Sequence, residues 1–334
     1  MSYSFPETRK GLFAATLFAL CGAILAACNG PSALGPSVHS ASLAHRRPLL
    51  YPYVFTTVDT TASTTNKVTG INQLGHIIGT YGSGTTSDPY GGFSGHAPYT
   101  KLSTFSYPNA EGTIALGVTS NLSAVGAVIR PRSLQGTWGF IIYDGVWTVT
   151  KDRKDGRKGS PGVTEFTGIN NQNFVTGYYV DPTSGNDVPF EFNATANRFV
   201  GLSPDPSEVS AVASGINGHG DIVGSETLSD GSQVGWIFRN TTFYQIAVPG
   251  AVSTFANGVN FQDQVVGSYV DSSGSTHGFL VSTPIKNPQW QYPLDNPSAV
   301  GTSVLTGIDN YSTVTGWYVD SGGRTHGFVA TTTR

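Results

Sequence analysis

The feature that most constrains this chain is a short phrase written six times. Gly-[Ile/Val]-[Asn/Asp/Thr] occurs at Gly70-Ile71-Asn72, Gly117-Val118-Thr119 and Gly168-Ile169-Asn170. It returns at Gly215-Ile216-Asn217, Gly258-Val259-Asn260 and Gly307-Ile308-Asp309. Successive copies lie 47, 51, 47, 43 and 49 residues apart. Nine residues after each first glycine stands a second, at Gly79, Gly126, Gly177, Gly224, Gly267 and Gly316. An aromatic follows at Phe93, Phe140, Phe190, Trp236, Phe279 and Phe328, and its offset from the first glycine drifts from 23 to 21. One connection in the unit is therefore rigid and the next elastic. Self-similarity at such a period means one supersecondary unit per copy, stacked on its neighbours.

Each copy reads as four strands. Strand A ends at the phrase, where Asn or Asp bonds its own backbone in a tight turn. Strand B carries the second glycine, strand C opens with the aromatic, and strand D follows, as in Phe243–Val248. The 42 glycines, and the lack of long apolar helical patterns after residue 28, also favour an all-β chain. Four strands in 43 to 51 residues is the spacing of a propeller blade. The sixth copy stops after strand C, and an orphan strand, Tyr53–Val58, precedes the first. Phe55 lies 15 residues before Gly70, as Phe243 lies 15 before Gly258. The expected fold is an all-β, six-bladed β-propeller of four-stranded antiparallel blades over 51–334. The N-terminal strand would close the last blade and remove open sheet edges.

The repeats resemble the extracellular HAF repeat family, named for a His-Ala-Phe tripeptide. The matching tripeptides here are His277-Gly278-Phe279 and His326-Gly327-Phe328. Gly91, Trp138, Val188 and Val234 replace the histidine in the first four copies. The resemblance implies an exported repeat protein and assigns no activity. The N-terminus agrees, with Arg9 and Lys10 before an apolar run from Gly11 to Cys28. That run ends Leu25-Ala26-Ala27-Cys28, which resembles a bacterial lipoprotein signal. The resemblance implies removal of residues 1–27, lipidation of Cys28 and, with Asn29 following, an outer-membrane address. Residues 28–50 then form the lipidated cysteine and a flexible tether, spanning roughly 25 Å as a coil.

The remaining sequence narrows the chemistry. Charged residues are 12% of the chain and the net charge is −3, which argues against nucleic acid as a partner. Both cysteines lie at or before residue 28, and no histidine pair has ligand spacing, so neither a metal nor a cofactor is expected. Asp271 precedes His277 by six residues, and Asp320 precedes His326 likewise. With no serine or cysteine nucleophile beside them, these pairs read as hairpin ties rather than catalytic dyads. Two glutamates break the repeat. Glu226 holds the place of Tyr81, Tyr179, Tyr269 and Tyr318, and Glu165 lies on the predicted inner strand, three residues before Gly168. They are the weak catalytic candidates, for an envelope carbohydrate-active hydrolase or lyase.

The most local signal is the insert KDRKDGRKG. Lys151, Arg153, Lys154, Arg157 and Lys158 place five of the chain's 18 basic residues within eight positions. The insert connects strand D of the second copy to strand A of the third. Arg130 and Arg132 lie in the second copy's B–C loop, which emerges on the same propeller face. These seven residues are the candidate binding set, for phosphate or carboxylate groups. The leading expectation is a monomeric, envelope-anchored binding or scaffolding module that engages a protein or polysaccharide, and membrane through its lipid. A carbohydrate-active enzyme is the alternative, and a purely structural surface protein a further one.

Overall fold

The structure, a computed structural model, describes residues 52–131, 136–151, 162–204 and 208–333. Among them the chain is all-β, with 24 strands and no helix. β1 (Tyr53–Val58) precedes the repeats. The first repeat forms β2 (Asn66–Ile71), β3 (Ile77–Tyr81), β4 (Gly91–Gly95) and β5 (Leu102–Phe105). The second forms β6 (Gly112–Val118), β7 (Ala124–Ile129), β8 (Thr137–Tyr143) and β9 (Val146–Thr150). The third forms β10 (Thr164–Ile169), β11 (Phe174–Val180), β12 (Asp187–Asn193) and β13 (Arg198–Gly201). The fourth forms β14 (Glu208–Ile216), β15 (Ile222–Leu228), β16 (Gln233–Arg239) and β17 (Thr242–Ile246). The fifth forms β18 (Ser253–Val259), β19 (Gln264–Val270), β20 (Thr276–Ser282) and β21 (Gln289–Gln291). The sixth has three strands, β22 (Ser303–Ile308), β23 (Val314–Val319) and β24 (Thr325–Thr332).

Each repeat is a four-stranded antiparallel sheet in chain order, and β1 supplies the fourth strand of the last, in the order β1-β24-β23-β22. A parallel pair, Gln233 with Ser253, links the fourth sheet to the fifth. The same bridge recurs as Thr137 with Val163, Thr276 with Thr302, and Thr325 with Thr65. Hydrophobic clusters lie between neighbouring sheets. Val223 and Ile237 pack with Ala256 and Val265, Val266 and Leu280 with Leu305 and Val314, and Val58 and Val329 with Val68 and Ile77.

The rigid spacing inside the phrase has a steric cause. Each second glycine faces the repeat's aromatic across strands B and C, as Gly177 faces Phe190. All six of these aromatics are fully buried. A Cβ on Gly177 would lie 1.9 Å from the Glu165 carbonyl and 2.8 Å from the Phe190 ring, so only glycine admits the ring. Every first strand carries a bulge just before its first glycine. That bend brings the first glycines together. A Cβ on Gly258 would meet Gly307 Cα at 3.1 Å, and one on Gly307 would meet Gly70 Cα at 3.3 Å.

The third residue of the phrase then ties sheet to sheet. Its side-chain oxygen accepts from its own turn, as Asn170 Oδ1 does from the Gln172 and Phe174 amides. Its Nδ2 donates to the equivalent backbone carbonyl of the next repeat. Asn72 donates to Thr119, Asn170 to Asn217, Asn217 to Asn260 and Asn260 to Asp309, at 2.8–3.1 Å. Thr119 and Asp309 have no such amide. At those two junctions the contact shifts by one residue: Asn171 Oδ1 accepts from the Ser120 amide, and Gln73 Oε1 from the Asn310 amide.

Asp309 is 3% exposed, and burial raises its pKa although the Thr313 and Tyr311 amides favour the carboxylate. An amide in its place would keep both turn bonds and add the missing donor. Asp309→Asn is therefore expected to raise the melting temperature. A net hydrogen bond contributes about 1 kcal/mol, and that shifts a domain of this size by roughly 2–4 °C. An unchanged or lower melting temperature in a thermal scan at neutral pH would refute this account of the inter-sheet ladder.

Candidate functional site

The B–C hairpins build three related constellations at equivalent positions. In the fifth repeat, His277 at the start of β20 sits between two carboxylates. Its Nδ1 lies 2.7 Å from Asp295 Oδ2, and its Nε2 lies 3.3 Å from Asp271 Oδ2. Asp295 Oδ1 also accepts the Gly278 amide at 2.9 Å, and the imidazole lies against the Tyr269 ring. The sixth repeat copies this. His326 Nδ1 lies 2.6 Å from Asp59 Oδ2, and Nε2 lies 3.2 Å from Asp320 Oδ2, with Tyr318 stacked on the ring.

Asp271 and His277 thus tie their hairpin as the sequence suggests, and so do Asp320 and His326. The second carboxylate of each clamp is new. Asp59 follows β1, so the sixth-repeat clamp joins the N-terminal strand to β24. Asp271 is held down to about 2, by the Ser273 hydroxyl first, then by local amides and by His277. Burial lowers the pKa of each imidazole, but two facing carboxylates outweigh it and leave both above the ordinary value.

In the second repeat the two flanking places carry the opposite charge, and an indole replaces the imidazole. Arg130 stands four residues after Gly126, as Asp271 stands four after Gly267. Trp138 precedes Gly139-Phe140, as His277 precedes Gly278-Phe279. Lys151 follows Thr150, which pairs with Gly139, as Asp59 follows Val58, which pairs with Gly327. Arg130 Cζ lies 4.6 Å, and Lys151 Nζ 5.5 Å, from the centre of the Trp138 ring. All three are half-buried, and among the described residues Trp138 Nε1 has no hydrogen-bond partner. Two cations over one indole form a cation–π pair of contacts. Trp138 was not among the residues singled out from sequence, although its place in the repeat identifies it. Arg132, Arg153, Lys154, Arg157, Lys158 and Cys28 lie outside the described residues.

The two glutamates sit elsewhere. Glu165 on β10 is 2% exposed and Glu226 on β15 is 3% exposed. Glu165 pairs across the strands with Tyr178, and Glu165 Oε1, the Tyr178 hydroxyl and Asp187 Oδ1 are all buried. Burial pushes Glu165 up to about 8, with the Tyr178 hydroxyl opposing and the charge of Asp187 adding to the rise. Burial likewise lifts Asp187 to about 6, with Ser210 opposing. In the first repeat's equivalent of the Glu165 position, Lys67 places its ammonium 4.1 Å from the centre of the Trp317 ring. Among the described residues no group of three His, Cys, Asp or Glu side chains is placed to hold a metal ion. His76 and His96 lie with ring centres 5.3 Å apart.

No family model matches the chain. No curated protein matches it either. Solved structures do. A protein of unknown function from Dyadobacter fermentans superposes with a TM-score of 0.53 at 9% identity, over 86% of this chain and 99% of its own. A fungal lectin from Aleuria aurantia, described as a six-bladed β-propeller, gives 0.47 at 9% identity, over 82% and 93% of the two chains. TolB from Acinetobacter baumannii gives 0.49 at 10% identity over 77% of this chain, which spans only 64% of TolB. At such identities the likeness concerns the fold alone.

Two titrations follow from this geometry. Both clamp histidines have raised pKa values, so their stabilisation is full below the unfolded value of about 6.5 and is lost as pH rises through the folded one. The His277→Gln/His326→Gln double variant should lose melting temperature at pH 6 relative to the parent and much less at pH 9. An equal loss at both pH values would show that the clamps are not charged. Glu165 has the same sign over a different window. Its contribution is full below about pH 4.3 and falls as pH rises towards its folded value of about 8. Glu165→Gln should flatten the decline in melting temperature across that range, as differential scanning calorimetry would measure.

Proposed function

We propose that this chain is a cell-envelope binding or scaffolding module. In this reading it is a closed six-bladed propeller. The sheet order through β1, the recurring bridges and the glycine contacts that run on from Gly307 to Gly70 support the ring. The lipoprotein-like run ending at Cys28 supports an exported, lipid-anchored location, outer-membrane where the cell has one. The partner is an acidic polymer, protein or polysaccharide, engaged at the end of the strands where the B–C and D–A connections emerge.

The Arg130–Trp138–Lys151 constellation carries this reading. Where the fifth and sixth repeats neutralise a histidine with two carboxylates, the second presents two cations around an aromatic. An arginine fork recognises carboxylate or phosphate in bidentate fashion, and a half-buried indole adds an apolar contact. Such a site gains from a low local dielectric and weakens with salt. A hydrolase reading has less support. A catalytic carboxyl must reach substrate, and at 2% and 3% exposure Glu165 and Glu226 do not.

The test is retention of the purified protein on an immobilised acidic polysaccharide and on an acidic polypeptide, across a salt series. The parent should be retained on at least one of them at low salt. Arg130→Ser/Lys151→Ser should lose roughly tenfold in affinity with the fold intact by circular dichroism. Retention unchanged in that variant, or retained by neither surface, would refute the site.

A further inference from the structure

The opposite end of the strands holds a cavity that the binding reading does not use. The A–B turns of all six repeats converge there, and between them lies a cavity of about 80 Å³. The aliphatic second residues of the phrase, such as Ile71, Ile169 and Ile308, form its apolar part. The asparagines of the inter-sheet ladder surround them, with their amides committed to neighbouring turns. The lining contains no ionisable side chain. A charged ligand would therefore enter without a countercharge, which argues for a neutral one.

The residue after the ladder position decides what kind of neutral ligand. In five repeats it is Gln73, Ser120, Asn171, Gly218 or Asn310, all small or polar. In the fifth it is Phe261, which lines the cavity and is 38% exposed. Its ring is held in place. It lies over Gly218, where a Cβ would meet ring Cζ at 2.2 Å, and stands edge-on to His219 at 4.4 Å. Its amide donates to Asn310 Oδ1 at 3.0 Å. Across the mouth, Gln73 accepts the Asn310 amide with Oε1, which leaves its two side-chain N–H donors for a ligand.

A fixed aromatic face, uncommitted amide donors and no charge suit a ring with one C–H face and an edge of hydroxyls. We propose that the mouth of this axial cavity binds a neutral saccharide, one sugar ring stacked on Phe261 and hydrogen-bonded by Gln73. The site is separate from the Trp138 site, at the other end of the strands, and of opposite preference for charge.

The purified protein would be titrated with methyl glycosides of neutral hexoses and deoxyhexoses, and with methyl glucuronide, to tens of millimolar by NMR. Saturable binding of at least one neutral glycoside is expected. Phe261→Ala should weaken it by roughly tenfold and Phe261→Trp should preserve it, since the aromatic platform contributes on the order of 1 kcal/mol or more. Gln73→Ala should weaken it too, and Arg130→Ser/Lys151→Ser should leave it unchanged. Phe261 lies outside the buried clusters, so its variants should keep the parental melting temperature. Absence of saturable binding to any neutral glycoside overturns the proposal, as does binding indifferent to Phe261→Ala or restricted to the glucuronide.

Discussion

The structure depends on contact between backbones at the first glycines of the repeats. Gly258 and Gly307 approach so closely that a Cβ on the former would press on the α-carbon of the latter. Only there can the asparagine two residues on span from its own turn to the carbonyl of the next sheet. Each such asparagine serves twice, with its oxygen inside its turn and its nitrogen in the neighbouring one. The turn thus becomes the joint, and a bulge in each first strand sets the angle. Hydrophobic burial between the sheets supplies most of the stabilisation, but it does not by itself specify a register from sheet to sheet. Directional hydrogen bonds to fixed carbonyls do.

That scaffold makes the outer positions interchangeable. The place two before the buried aromatic carries histidine in two repeats and tryptophan in another, and the flanking places are carboxylates in the first case and cations in the second. Two carboxylates around His277 are internally neutralised and hold a hairpin. Two cations around Trp138 instead lie over its indole ring. The same three coordinates therefore hold carboxylates around an imidazole in one part of the molecule and cations around an indole in another. The difference rests on three side chains rather than on any change of backbone.

Much of this was legible in the chain. The constant nine-residue step between glycines reflects a single steric requirement, the seating of a large ring on a glycine across one strand pair. The match of Tyr53–Val58 to a missing strand was visible from the offset of Phe55. The hairpin ties of Asp271 and Asp320 were readable from spacing alone. Their second carboxylates were not, because Asp295 lies 18 residues from its histidine and Asp59 lies 267 away. Trp138 was readable as the replacement of the repeat's histidine, but its contact with Arg130 and Lys151 was not, because those side chains meet only when three strands pair.

The sequence by itself determined the period, the strand content and the positions where only glycine serves, since these follow from local sterics and the length of one repeat. It also determined which residues depart from the repeat. The tertiary structure alone decided what those departures do. Glu165 became a buried carboxyl with its pKa pushed up to about 8, because packing removes its water. Asp309 became a gap in a ladder, because its neighbours are amides. Phe261 became a partly exposed ring, seated over Gly218 of the adjacent turn. Such outcomes depend on distances between residues remote in the chain, and no local pattern encodes them.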